Sequence, residues 1–205
     1  MPRSHGYQSF SDLSKHENRA HFHIQKSDQG TGLLLFTPHG GGIEPGASEI
    51  TRALAGEEYS YYCFEGQRMD GNDGLHITST RFDEPIGTTM IAKAETIITV
   101  HGCGDRRNII YVGGLDLDLR DQFLRSFRAG GFETEIGRGH ISGKSPRNIC
   151  NRGKSEKGVQ LELSEGLRKT MFRSLDKTGR EHKTPVFERL IRAGKKVLEE
   201  VNNTR

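Results

Sequence analysis

The sequence predicts an α/β domain: a single open, twisted sheet, mixed but largely parallel, with helices on both faces. Two observations predict it. Short apolar runs such as "LLLF" and "IITV" suit strands buried on both sides, and they alternate with helical stretches closed by glycine, an order that favours parallel pairing. The length, 205 residues, is enough for one full-sized core and short for two enzyme domains, so residues 1–205 are read as one domain.

The first stretch, "SFSDLSKHE", reads as a short serine-capped helix and "AHFHIQ" as an alternating strand. "GLLLFTPHG" is a buried strand ending at His39, and "ASEITRALAG" a helix stopped by glycine. "YSYYCFEG" and "LHITST" read as two more strands, and "EPIGTTMIAKA" as the helix leading into the buried run "ETIITVHGCG". "NIIYVGG" is a strand, "LDLDLRDQFLRSFRAGG" a helix, "FETEIG" a strand, and "GVQLELS" a strand running directly into the helix "EGLRKTMF". "TPVFERLIRAGKKVLEEV" closes the chain as an amphipathic helix opened by threonine and proline.

Thirty Lys and Arg against 27 Asp and Glu leave a net charge of only +3, so affinity for an acidic partner must come from local clustering. The cysteines Cys63, Cys103 and Cys150 are odd in number and form no C-x-x-C pair, which fits free thiols in a reducing compartment. No stretch has the apolar core of a secretory signal or the length of a membrane span, so the expectation is a chain made in the cytoplasm without a membrane partner.

In an open α/β sheet, sites form outside the carboxyl ends of the strands. Both "LLLFTPHG" and "IITVHGCG" end in histidine followed by glycine, which puts His39 and His101 at one rim. A catalytic zinc needs three nitrogen or oxygen ligands and an open position. His39, Glu44 and His101 can supply two nitrogens and an oxygen, and the glycines of "HGGGIE" let the backbone reverse between the first two. His5, His16, His21, His23 and His182 lie in polar terminal segments and read as solvated; His76 and His140 stay open.

A zinc hydrolase also needs a carboxylate outside the metal shell to move protons. In "GVQLELSEGLR" the strand period puts Gln160 and Glu162 on one face and Leu161 and Leu163 on the other, so Glu162 is a charge near the end of an apolar strand. Such a carboxylate is either the catalytic base or a partner for a cation such as Arg168. Glu165 reads as an exposed first-turn residue. The segment Arg138 to Gly158 carries six Lys or Arg and one acidic residue, and its "NICNRG" suits a carboxylate or phosphate.

Taken together and in order, "PHGGGIEPG", "LHITSTRFDEP", "VHGCGD", "YVGG", "NICNRG" and "GVQLELSEGLR" resemble the phage-borne poly-γ-glutamate hydrolase family, which is related to zinc carboxypeptidases and N-formylglutamate amidohydrolases. The resemblance covers nearly the whole chain. It implies a carboxypeptidase-like α/β fold, one zinc per chain, and hydrolysis of the γ-amide bonds of a bacterial capsule polymer by a phage-encoded enzyme released on host lysis. Carried over residue by residue, it implies zinc ligands at His39, Glu44 and His101, a general acid/base at Glu162, and a substrate-carboxylate grip from Asn151 and Arg152. Arg168 and His76 lie in matching motifs and are assigned carboxylate and oxyanion contacts. Carboxypeptidases space the first two ligands as H-x-x-E, whereas here four residues intervene.

Two other classes compete. "HGGG" also occurs as an oxyanion loop in lipases, but their G-x-S-x-G elbow is missing. A nucleic-acid-binding protein using Arg138 to Gly158 leaves the two strand-end histidines and Glu162 without a role. The reading is therefore a monomeric hydrolase with an anionic polymer and no nucleic acid as its partner; the looser alternative is a metal amidohydrolase or carboxypeptidase acting on another acidic substrate.

Overall fold

Alternation along buried strands sends successive side chains to opposite faces, and here it divides the interior in two. The computed structural model describes residues 6–203; His5 and both chain ends lie outside the described residues. The strands are β1 (Phe22–Ser27), β2 (Leu33–Gly41), β3 (Ser60–Gly66), β4 (Thr96–Cys103), β5 (Ile109–Gly114), β6 (Glu133–Ile136) and β7 (Val159–Ser164). They form one seven-stranded sheet in the order β1-β3-β2-β4-β7-β5-β6. The β1/β3 and β5/β7 pairs are antiparallel and the other four pairs parallel, the mixed, largely parallel sheet expected.

The helices are α1 (Phe10–His16), α2 (Ala47–Ala55), α3 (Pro85–Lys93), α4 (Leu117–Ala129), α5 (Glu165–Met171) and α6 (Pro185–Asn203). One core lies between the sheet and α2, α4, α5 and α6. It takes Leu33, Leu35, Ile98, Val100, Val159, Leu161, Leu163, Ile110 and Val112 from the strands and Ile50, Leu54, Phe123, Phe127, Leu167 and Leu190 from the helices. Each such side chain contributes roughly 1.5–3 kcal/mol on burial. Among the described residues no helix is long and apolar enough to cross a membrane.

The opposite face changes character across the sheet. Over β2 and β3 it is apolar: Leu34, Phe36, Tyr62 and Phe64 pack with Leu13 of α1 and Met90 and Ile91 of α3, and the Phe36 and Tyr62 rings stack 4.5 Å apart. Over β4, β7 and β5 the same face presents Thr99 and His101, Gln160 and Glu162, and Tyr111. Polar groups buried in a sheet must find partners, so this half of the face holds the candidate site.

One expected strand is corrected. "LHITST" joins no sheet: Asn72–Leu75 is a single 3-10 turn, and Ile77 makes only an isolated bridge with Tyr7. The alternation that suggested a strand is real, since Leu75 and Ile77 are buried. The segment instead crosses the rim of the sheet, where the Ile77 carbonyl meets His39 and Ser79 meets His101.

Candidate metal centre

His39 lies near the end of β2, and the chain doubles back to Glu44 within five residues. Gly41 takes a left-handed backbone (φ +63°), where a Cβ would lie 2.4 Å from the Gly66 carbonyl oxygen, so this position requires glycine. The Glu44 N–H donates to the His39 carbonyl (2.9 Å) and closes the loop. The longer H-x4-E spacing therefore still returns the carboxylate to the histidine: Glu44 Oε1 lies 2.9 Å from His39 Nδ1.

β4 runs parallel to β2 and brings His101 to the same rim. Its Nδ1 is 3.2 Å from His39 Nδ1 and 3.4 Å from Glu44 Oε2, and the Gly102 N–H donates to that carboxylate oxygen (2.8 Å). The donor atoms of His39, Glu44 and His101 all lie within 4.8 Å of one another. Two nitrogens on one tetrahedral ion, each at about 2.0–2.1 Å, stand roughly 3.3–3.4 Å apart, close to the separation seen here.

The outer nitrogen of His39 fixes its tautomer. His39 Nε2 is 2.8 Å from the Ile77 carbonyl, which can only accept, so Nε2 carries the proton and Nδ1 keeps its lone pair for the centre. His101 Nε2 faces Ser79 Oγ at 3.4 Å. Burial alone would raise the Glu44 carboxyl, but the two imidazoles outweigh it and hold the group well below the usual carboxylate range. Burial disfavours charge on His101 too, yet Glu44 raises its pKa. Two lone pairs and a carboxylate that favour positive charge between them fit a divalent metal.

His76 stacks on His39 with ring centroids 3.9 Å apart. Burial, reinforced by His39, pushes its pKa down to about 3, which keeps it a neutral imidazole at the cavity wall. Glu162 stands beside His101 in the parallel register of β4 and β7. Burial is the main influence on it and the Glu44 charge adds to it; against the pull of His101 and Arg168 they push its pKa up to about 7, well placed for a group that takes and returns a proton.

These residues line a cavity of about 350 Å³ with Thr78, Ser79, Cys103, His140, Asn148 and Gln160. A larger cavity, about 590 Å³, flanks the outer side of the ligand loop but includes none of the three ligands. Its Arg52 and Arg180 are held by Glu65 and Glu49.

Three expected substrate contacts do not line the metal-site cavity. Arg168 is buried and gives its donors to the carbonyls of Leu163 (3.1 Å), Cys103 (3.1 Å) and Pro45 (2.6 Å), tying the ligand loop to the ends of β4 and β7. Asn151 donates to Gly143 and Ser145 and accepts from Leu115 and Gly158, which fills its hydrogen-bonding capacity with backbone groups. Arg152 donates to the Phe82 carbonyl (2.7 Å). The cavity residues not singled out in the sequence include Thr78, Ser79, Asn148 and Gln160; Gln160 had a signal in its shared face with Glu162, and Asn148 in its place at the head of "NICNRG".

A mixed α/β sheet whose neighbouring parallel strands end in two imidazoles, with a carboxylate on the returning loop and a second buried one on the next strand, defines an α/β domain with a candidate metal centre. Residues 7–193 match the poly-gamma-glutamate hydrolase family, and the chain belongs to that family. It is 38% identical over 169 residues to the UPF0714 protein YndL of Bacillus subtilis (strain 168), an alignment that covers 81% of this chain. The chain spans only 66% of that relative's length. The structure is similar to a bacteriophage poly-gamma-glutamate hydrolase (TM-score 0.94, 31% identity, 98% of this chain and 100% of the other). It is also similar to the zinc-free form of YndL (TM-score 0.91, 33% identity, 95% and 98%). At 11% identity and a TM-score of 0.52, an N-formylglutamate amidohydrolase from Ralstonia eutropha JMP134 shares the fold alone, over 90% and 98% of the two chains.

Proposed function

We propose that this chain hydrolyses the γ-glutamyl amide bonds of poly-γ-glutamate, with one zinc ion held by His39, Glu44 and His101. The observation that carries the reading is the meeting of three metal-binding donors with a separate buried carboxylate, Glu162, one strand away. The family, the similar phage hydrolase and a relative described as zinc-free support the choice of substrate and metal.

When bound, zinc supplies Lewis acidity to a water molecule and to the scissile carbonyl. The chain's own groups do the rest. The Ile77 carbonyl and Ser79 hold the two imidazoles in orientation, and the Gly102 N–H steadies Glu44. Glu162 takes a proton from the attacking water and returns it to the departing α-amine. His76, neutral and on the cavity wall, offers an N–H to the developing oxyanion.

Every residue of the polymer carries a free α-carboxylate. His140, Ile141 and Asn148 of the basic loop form part of the cavity wall, and Arg138, Lys144 and Arg147 in the same loop are exposed beside them. These cations, rather than Asn151, Arg152 and Arg168, are placed to attract a polyanion. On this reading the enzyme acts as a monomer, and a phage-borne copy meets the capsule after host lysis.

The test is incubation with poly-γ-glutamate, with a chelator, and with zinc restored, following polymer length on a gel. Shortening that the chelator stops and zinc restores is the expected result. A folded, zinc-loaded sample that leaves the polymer intact overturns the substrate assignment.

A further inference from the structure

We infer that Gln160 and Asn148 are positioning residues that pin one oxygen of the Glu162 carboxylate and leave the other as the atom that carries the proton. The inference rests on the proposed role of Glu162 and adds to it the orientation of that group.

The relay starts from the backbone. Asn148 caps the short 3-10 turn Ile149–Asn151, and its Oδ1 accepts the Cys150 N–H at 3.2 Å. A backbone amide can only donate, so the Asn148 oxygen must face it and the Asn148 Nδ2 must point the other way. That Nδ2 donates to Gln160 Oε1 at 2.8 Å. With its oxygen so engaged, Gln160 has no choice about which end meets Glu162: Nε2 donates to Glu162 Oε1 at 2.8 Å. The second proton on Nε2 points to the Ile141 carbonyl at 3.4 Å. All three side chains are buried, at 7%, 2% and 7% exposure, where a reversed amide would set two acceptors against each other.

The consequence lies on Glu162. An oxygen that accepts an N–H from Gln160 is a poor place for a new proton, whereas the second oxygen has no hydrogen-bond partner among the described residues and its side chain lines the metal-site cavity. Proton uptake and return therefore use Oε2, held at a fixed angle to the cavity. In β7 the period of two places Gln160 and Glu162 on one face, so the geometry follows from the strand once Asn148 is docked.

The decisive variants keep shape and change chemistry. Asn148→Asp still caps Cys150 but can no longer donate to Gln160, so the amide reverses and turns its oxygen toward Glu162. Gln160→Met removes the amide at similar volume. In zinc-loaded protein on poly-γ-glutamate at pH 8, each single variant is expected to lower kcat about 10- to 100-fold with KM within about twofold. The double variant should be no slower than Gln160→Met alone, because no amide is left to reverse. A wild-type kcat in folded Asn148→Asp, or losses that multiply in the double variant, would overturn the assignment. NMR of the Gln160 side-chain amide gives a readout free of turnover: its protons should show nuclear Overhauser contacts to the Glu162 side chain in the wild-type chain and to residue 148 instead in Asn148→Asp. If the wild-type chain cleaves no polymer, the substrate reading fails, and the amide readout still decides the relay: amide contacts to Glu162 that persist in Asn148→Asp overturn it.

Discussion

His101 and Glu162 are direct neighbours in the parallel ladder of β4 and β7, one imidazole facing the metal-binding donors and the carboxylate beside it. A sheet holds such a pair with little freedom, so on the proposed roles the metal ligand and the proton carrier keep a fixed separation. The first prediction follows from that division of labour. Glu162→Gln preserves shape and the bond from the Gln160 side after rotation of its own amide, and it should retain zinc while kcat falls by roughly 10²- to 10⁴-fold. Metal content by atomic absorption beside turnover checks this; an active, zinc-loaded variant sinks the role of Glu162.

His101→Ala and His39→Ala should each lose stoichiometric zinc and, with it, turnover. Either deletion leaves two donors, too few for a stable site. Equilibrium dialysis measures the loss, and full zinc retention in both variants would show that the centre lies elsewhere.

Stability should depend on pH through Glu162 in chelated protein. Burial raises its folded pKa to about 7 from the ordinary 4.5, so between these values the native state binds more protons than the unfolded state. Stability then falls as pH rises through that window, and the loss is complete above it. Glu162→Gln, which does not titrate, should have a Tm close to wild type near pH 4.5 and a few degrees higher at pH 8. A Tm difference that stays flat with pH contradicts the buried-carboxylate account.

Arg168 separates a structural clamp from a substrate contact. Arg168→Lys cannot reach three carbonyls at once and should destabilise the fold by roughly 2–4 kcal/mol while weakening zinc binding. If Arg168 instead gripped substrate, KM would rise at unchanged Tm, so thermal melts read beside kinetics distinguish the two.

Charge reversal in the basic loop, Lys144→Glu with Arg147→Glu, should raise KM for poly-γ-glutamate severalfold at low salt and leave kcat near wild type. The salt dependence of kcat/KM should flatten with it, because exposed charges act through a field that salt screens over about 10 Å at 0.1 M. An unchanged salt profile would place the polymer on another surface.

Much of the fold was legible because each strand carries its own pattern. "LLLF" and "IITV" have no polar face to offer solvent, and the glycine-closed amphipathic stretches could only cover them. "LHITST" misled for the same reason: Leu75 and Ile77 alternate as a strand would, and nothing in that segment records that its backbone turns to meet His39 and His101 instead. In the basic loop the composition was visible but direction was not. Asn151 and Arg152 look like anion binders by type, and their hydrogen bonds go to loop and turn backbone instead.

Side-chain pattern alone marks which strands are buried, places His39 and His101 near the ends of two of them, shows that glycine frees the turn to Glu44, and makes Glu162 a charge in an apolar strand. These are local properties, written in side-chain type and spacing. Only the tertiary structure decided which donors meet: His39 and His101 are 62 residues apart, and their 3.2 Å approach depends on β2 and β4 becoming neighbours. It also decided that Arg168 faces three carbonyls and that Asn148 orients Gln160, since a side chain's partners are set by what packs against it after the strands have found their order.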